Sequence, residues 1–400
     1  MDLGIYRMLA TSTPFILPRK IVFGIGALKN LAEELKFCGV APHSRIVMVI
    51  SATAKTRSPT VEYIAALEKE YSVSYYTDVE YEPTVECLGR LSEYLRKEKD
   101  VKAVIAIGGG SALDLTKVAV AAKDNPDKPV EKLLGKENIP KRITPFIAVP
   151  STSGSGSEAT RYAVLTKDHF KTGAVSNFLV PDVAVVDPTI TVTVSAKLTA
   201  GTGLDALSHA VEGMICIGAN PLTDALAVES AKLIFKYLRR AYYRGDDIEA
   251  RYFMAMASTA AGVTICNAGD GIALGHFISH TIGPMYGIHH GVACGIALPY
   301  VMKFYLPVMR EKFAALYRAI EPCPGDFDGT AAERCIEAVW DLLLDLEVSP
   351  SLKDVGIPRS DLEMIAEKVA KGAFPSSPVP CTKERVLKTL ESMYEGELEL

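Results

Sequence analysis

The chain has 400 residues, 48% of them hydrophobic and 23% charged, and 43 Lys and Arg against 48 Asp and Glu give a net charge of −5. That hydrophobic content excludes a charge-rich disordered chain, and mild acidity without a Lys/Arg cluster excludes nucleic acid or an anionic membrane as the main partner. The length leaves room for roughly two to three domains, and the longest apolar runs, such as 292–302, stop short of the about 18 residues a spanning helix needs, so no transmembrane segment is predicted.

The opening stretch MDLGIYRMLATSTPF lacks the basic leader and apolar run of a secretory signal, so a cytoplasmic location is expected. Short β-branched runs then alternate with helical patterns. Strands are predicted at 21–23, 45–50, 73–76, 101–107 and 143–149, and helices at 28–37, 60–71, 85–97 and 112–122. This βα alternation predicts a largely parallel sheet. A hairpin over 162–176 and a last strand at 183–186 complete it. From Ser195 onward Ala, Leu, Met and charged residues recur at three-to-four spacing, as in 222–238 and 250–261, and 374–380 is a loop before a final helix. The expected architecture is an α/β N-terminal domain, 1–190, followed by an all-α C-terminal domain, 191–400. Cys38, Cys87, Cys216, Cys266, Cys294, Cys323, Cys335 and Cys381 form no CxxC pair, so neither a disulfide framework nor a structural zinc site is expected, and all eight read as reduced, buried apolar residues.

Three segments carry chemistry. The predicted strand in VIAIGGGSALDLTK ends at Gly108, Gly109 and Gly110, and Ser111 opens a helix. Such a turn either lets backbone N–H groups approach a phosphate at a helix N-terminus or is a plain tight turn. It is neither the Walker A nor the GxGxxG pattern. PSTSGSGSEAT, 150–160, follows the next strand and suits a ribose, diphosphate or carboxamide, the alternative being a surface turn. Two such loops after consecutive strands favour a ligand, because open α/β sheets bind beyond their strand carboxyl ends. In the helical half, Asp205 and His209 stand four apart, as do His276 and His280, with His289 and His290 after a Gly-punctuated turn. A carboxylate with several imidazoles, no thiolate and no all-oxygen shell suits a divalent first-row metal, iron or zinc, in a catalytic role.

Through GGGSALDLTK, PSTSGSGSEAT, GTGLDALSHAVEG, ANPLTDALA and HFISHTIGPMYGIHHG, in order and with spacing kept from about Phe15 to the final helix, the chain resembles the iron-containing (group III) alcohol dehydrogenases. The resemblance implies a dehydroquinate-synthase-like fold with a dinucleotide-binding α/β domain and a helical metal-binding domain. It implies hydride transfer between NAD(P)+ and a small alcohol, aldehyde or ketone, and one Fe2+ per subunit, Zn2+ being the alternative. The implied ligands are Asp205, His209, His276 and His290. His280 aligns with an active-site histidine that does not bind the metal and is expected to move protons. Ser51, Gly109, Gly110, Ser111, Asp114, Ser151, Ser155 and Lys171 fall at dinucleotide-binding positions. A homodimer without nucleic-acid or membrane partners is expected.

The departures are specific. Ser51 stands where many members have Asp, which favours NADP(H) over NAD(H), with Lys55 and Arg57 just downstream. Tyr81, Glu82 and Pro83 replace a Pro-Asn-Pro segment, His289 replaces the Pro before the last ligand, Thr281 replaces a Pro after His280, and SSPVPC replaces Asn-Pro-Arg near the C-terminus. The competing reading is a dehydroquinate-synthase-type lyase that uses its nicotinamide transiently. It calls for basic residues around a phosphorylated substrate, whereas the ligand segments are mostly apolar.

Overall fold

Six of the strands pair into one parallel sheet: β1 (Lys20–Phe23), β2 (Arg45–Ile50), β3 (Ser72–Tyr76), β4 (Val101–Gly108), β6 (Phe146–Pro150) and β9 (Val183–Val186), in the order β1-β9-β6-β4-β2-β3. This computed structural model describes residues 14–167, 170–269, 272–321, 328–372 and 376–400. A parallel strand covered on both faces reads as a continuous apolar run, which is why RIVMVI of β2 is buried at every position after Arg45. Its side chains divide with the period of two. Val47 and Val49 join a core with α3 (Val85–Lys97) and α4 (Gly110–Asp124), while Ile46, Met48 and Ile50 join another with α1 (Leu31–Phe37) and α2 (Thr60–Leu67). The first core also takes in a hairpin of β7 (Tyr162–Lys167) and β8 (Phe170–Val175), which pairs with the two-residue β5 (Gly135–Lys136) in a separate sheet.

Element boundaries differ from the sequence expectation where local hydrogen bonding intervenes. The 143–149 strand begins only at Phe146, because Pro145 has no N–H and the Ile143 and Thr144 N–H groups donate to Asp124 Oδ2 at 2.6 and 2.7 Å. The 60–71 helix ends at Leu67, after which Lys69 and Glu70 donate to carbonyls three residues back and tighten the chain into β3.

The chain forms two compact units. The sheet unit comprises Ile16–Val194 together with Asp246–Thr259, a segment that a division at 190/191 assigns to the helical half. Apolar packing explains the difference: Ala255 packs with Ala184 and Val186, Tyr252 meets Phe23 edge-on at 4.8 Å, and buried Arg251 donates to the Val194 carbonyl at 3.0 Å.

The other unit includes Ser195–Gly245 and Ala260–Leu400. It is built from α5 (Ala196–Ile215), α6 (Pro221–Tyr243), the end of α7 (Ile248–Asn267), α8 (Leu274–Tyr286), α9 (His290–Ile320), α10 (Asp328–Asp345), α11 (Leu362–Ala370) and α12 (Lys383–Glu395). Ser195 caps α5 by accepting from the Leu198 N–H, and Asn220 and Thr223 form a reciprocal capping box that opens α6 at Pro221. Contrary to the expectation from interrupted apolar runs, α9 is long and apolar enough to cross a membrane by length and composition. It packs on α5, α8 and α10, and 61% of its most apolar window is buried within the protein. Seven cysteines are free thiols, of which only Cys38 is not buried, and Cys323 lies outside the described residues, as does part of the 374–380 loop.

Candidate metal and cofactor sites

Close packing of α5 against α9 brings the ligand candidates together. A Cβ on Gly291 would lie 2.1 Å from the Gly201 carbonyl oxygen and 3.0 Å from Asp205 Cβ, and one on Gly295 would lie 2.7 Å from a Leu204 methyl carbon. Only glycine lets the two helices approach this far. Gly287, at φ +68°, ends α8 in the left-handed region and turns the chain into α9. His289 then caps α9, its Nδ1 accepting from the Gly291 N–H at 3.2 Å, so the two adjacent histidines have separate tasks.

Asp205 Oδ1 lies 3.5 Å from His290 Nε2, 3.7 Å from His276 Nε2 and 3.9 Å from His209 Nε2. Asp205 is 5% and His276 2% exposed, and Asp205 Oδ1 and His276 Nε2 have no hydrogen-bond partner among the described residues. Two imidazoles are held with Nε2 directed inward. Glu212 Oε1 accepts from His276 Nδ1 at 2.9 Å and from its backbone N–H at 3.1 Å, while Ser279 Oγ accepts from His290 Nδ1 at 2.9 Å and donates to the His290 carbonyl. These contacts assign the proton to Nδ1 in both rings. Gly275 makes the first of them feasible, since a Cβ there would lie 2.5 Å from Glu212 Oε1.

Electrostatics favour positive charge at this point. Burial pushes the Asp205 carboxyl up, but His209, His290 and His276 outweigh it and hold it well below the usual carboxylate range. Burial pulls the His276 imidazole down, yet Cys294, Glu212 and Asp205 hold it well above its ordinary value. Donors bound to one ion at about 2.0–2.3 Å lie at most roughly 4.6 Å apart. Asp205 meets that limit with each of the three histidines, and with His276 and His290 it offers a donor set of the kind a divalent ion takes; His209 approaches Asp205 but stands outside the group whose donors are all mutually close.

His280, half-buried, is one turn beyond His276, with its ring 5.2 Å from that of His290 and 6.0 Å from that of His276. Sequence reasoning excluded thiolates and missed three residues here. Cys294, Glu212 and Ser279 follow His290, His209 and His276 by four, three and three positions, the helical spacing that signals a shared face. Asp205, His276, His290 and Cys294 bring one donor atom each within 4.8 Å of one another.

In the sheet unit, β2 leads outward to β3 while β4 leads the opposite way to β6, so the sheet reverses direction between β2 and β4. Ser51 follows β2, and Gly109, Gly110 and Ser111 follow β4, at the crevice where open α/β sheets bind nucleotides. Ser51 Oγ accepts from the Ala54 N–H and caps a helical turn, Ala52–Lys55. Gly109 is the N-cap of the 15-residue α4 and has no side chain to satisfy the first N–H groups. The serine loop closes on this turn: the Ser151 N–H donates to the Gly108 carbonyl at 2.8 Å, and a Cβ on Gly110 would lie 2.9 Å from Ser155 Oγ. Asp114, one turn into α4, accepts from Ser157 Oγ at 2.5 Å and the Val164 N–H at 2.9 Å, tying the loop and hairpin to the helix. Lys171 on β8 pairs with Glu82 at 3.3 Å.

Family models for the iron-containing alcohol dehydrogenases match residues 18–188, and for the C-terminal region of the Fe-containing alcohol dehydrogenase family residues 199–394. The chain belongs to the iron-containing alcohol dehydrogenase family. It is 35% identical to long-chain-alcohol dehydrogenase 1 of Geobacillus thermodenitrificans over 94% of this chain and 95% of the relative. It is 32% identical to an NADPH-dependent butanol dehydrogenase of Clostridium saccharobutylicum over 96% and 98%. Among solved structures it is similar to a 1,3-propanediol oxidoreductase, with a TM-score of 0.90 and 29% identity over 96% of this chain and all of that one. The chain is thus an alcohol dehydrogenase with the expected α/β-plus-helical fold, and the lyase reading is set aside.

Proposed function

We propose that this alcohol dehydrogenase interconverts a small alcohol and its aldehyde or ketone with Fe2+ held by Asp205, His209, His276 and His290, Zn2+ being the alternative, and with NADP(H) in preference to NAD(H). The observation that carries the metal assignment is the buried Asp205 Oδ1, 3.5–3.9 Å from three imidazole Nε2 atoms and without a hydrogen-bond partner. When bound, the divalent ion supplies Lewis-acid stabilisation of charge on the substrate oxygen, worth several kcal/mol. Glu212 and Ser279 keep His276 and His290 in the tautomer that presents Nε2. His280 takes the substrate hydroxyl proton outward during oxidation and returns it during reduction. Gly109, Gly110 and Ser111 receive the cofactor diphosphate with backbone N–H groups at the start of α4, Ser151 and Ser155 add hydroxyls, and Ser51 faces the adenosine ribose. The free thiols fit a cytoplasmic enzyme.

Metal analysis alongside nicotinamide turnover tests the assignment. His276→Ala is expected to lose metal and turnover together. His280→Ala is expected to keep its metal while turnover falls on the order of 10²–10⁴-fold. A His276→Ala protein with full metal content and wild-type turnover would overturn the ligand set.

A further inference from the structure

Helix α9 carries a second donor one turn beyond His290. Cys294 is 1% exposed, and its Sγ lies 3.7 Å from His290 Nε2. With Asp205, His276 and His290 it forms a group whose donor atoms all fall within 4.8 Å of one another. That is within tenths of an ångström of the roughly 4.6 Å limit for donors on a single ion. Two of the partners, Asp205 Oδ1 and His276 Nε2, are buried without a hydrogen-bond partner among the described residues, so potential ligand atoms from two other helices converge where the thiol sits. His209, on α5 with Asp205, lies outside that group although its Nε2 is 3.9 Å from Asp205 Oδ1.

We propose that the chain can hold a metal in either of two overlapping donor sets. They share Asp205, His276 and His290 and differ in the fourth donor, which is the His209 imidazole or the Cys294 thiolate. The inference rests on the metal site proposed above and adds a basis for metal choice. Thiolate is the softer donor and suits Zn2+ or Co2+, whereas the all-imidazole and carboxylate set suits Fe2+. As the sulfur–metal bond forms, the Cys294 S–H proton leaves to solvent, and no atom changes oxidation state. Cys294 thereby acts as a selectivity donor: zinc is held through sulfur, and iron through nitrogen and oxygen alone.

The test uses full-length protein stripped of metal and reloaded with Co2+ alone. The expected wild-type spectrum contains the near-ultraviolet thiolate-to-cobalt charge-transfer absorption. Cys294→Ser and Cys294→Ala are expected to lose it, and His209→Ala to keep it. Chelator competition should show a loss of Zn2+ affinity in Cys294→Ser, with Fe2+ affinity, measured without oxygen, nearly unchanged. Bound Co2+ without the absorption, or equal losses of zinc and iron affinity, overturns this inference alone. A wild-type chain that binds no Co2+ overturns the metal-site reading and this inference together.

Discussion

Glu212 shows how a buried carboxylate fixes a neighbouring ring, here the proposed metal ligand His276. Its carboxylate is 1% exposed and accepts twice from His276, through Nδ1 and the backbone N–H. A negative partner on Nδ1 makes Nε2 a stronger donor and holds the ring in place. Glu212→Gln preserves shape and one acceptor oxygen but removes the charge. Metal affinity is therefore expected to fall on the order of 10–100-fold, read by chelator competition on a variant whose circular dichroism is unchanged; undiminished affinity would mean the carboxylate only packs. At this scale the sequence exposes Asp205 and His209 through their four-residue spacing, and the His276–His290 segment through its density. Spacing alone does not distinguish His289 from His290, which only the family resemblance separates, because the difference lies in which of them takes a helix N-cap. The sequence hides Glu212, Ser279 and Cys294, since a carboxylate, a hydroxyl and a thiol on apolar helices look like ordinary core polar residues until a second helix supplies the partner.

At the scale of elements, the proposed metal site depends on how closely α5 and α9 approach. Gly201, Gly291 and Gly295 set that distance, and Gly291 tolerates least, because the obstacle to a Cβ is the Gly201 backbone carbonyl at 2.1 Å, which cannot swing aside. Gly291→Ala must push the helices apart. Overpacking of this kind costs about 1–3 kcal/mol, and it moves His290, the residue next to the substitution, away from Asp205. Calorimetry should record a lower unfolding temperature, and metal analysis a lower content; a variant with both unchanged would show that the interface has slack. Helix α9 also shows the limit of reading elements from composition. Its apolar run is broken by Lys303, yet the helix continues to Ile320 through Pro299 and Pro307, because its buried contacts with α5, α8 and α10 outweigh local propensity. By contrast, β2, α3 and β9 are legible to the residue, since each has a clean period or a sharp boundary, such as Thr84 capping α3.

On the scale of the whole molecule, the parallel sheet sets which loops follow its strand ends at the crevice between β2 and β4, and under the proposed function the side chain left at the end of β2 sets the choice of cofactor. In the proposed site Ser51 follows β2 at the position where a carboxylate would bind the ribose 2′-hydroxyl and repel a 2′-phosphate. The Ser51 hydroxyl accepts from the Ala54 N–H, which leaves its own proton available to a phosphate oxygen. Lys55, four residues on, lies with its Nζ 3.3 Å from the centre of the Tyr75 ring, so its charge is held near the strand ends instead of swinging freely in solvent. Arg57 donates instead to Thr193 Oγ1 at 3.4 Å, so Lys55 is the cation the NADP(H) proposal assigns to the 2′-phosphate. NADP(H) is therefore expected to give the higher kcat/KM. Ser51→Asp introduces a like charge beside the 2′-phosphate and should shift the preference toward NAD(H). Lys55→Ala should raise KM for NADP(H) while leaving that for NAD(H) nearly unchanged. Steady-state kinetics with both cofactors decides it. A native preference for NAD(H), or an NADP(H) preference that survives Ser51→Asp, would move the discrimination to another part of the crevice.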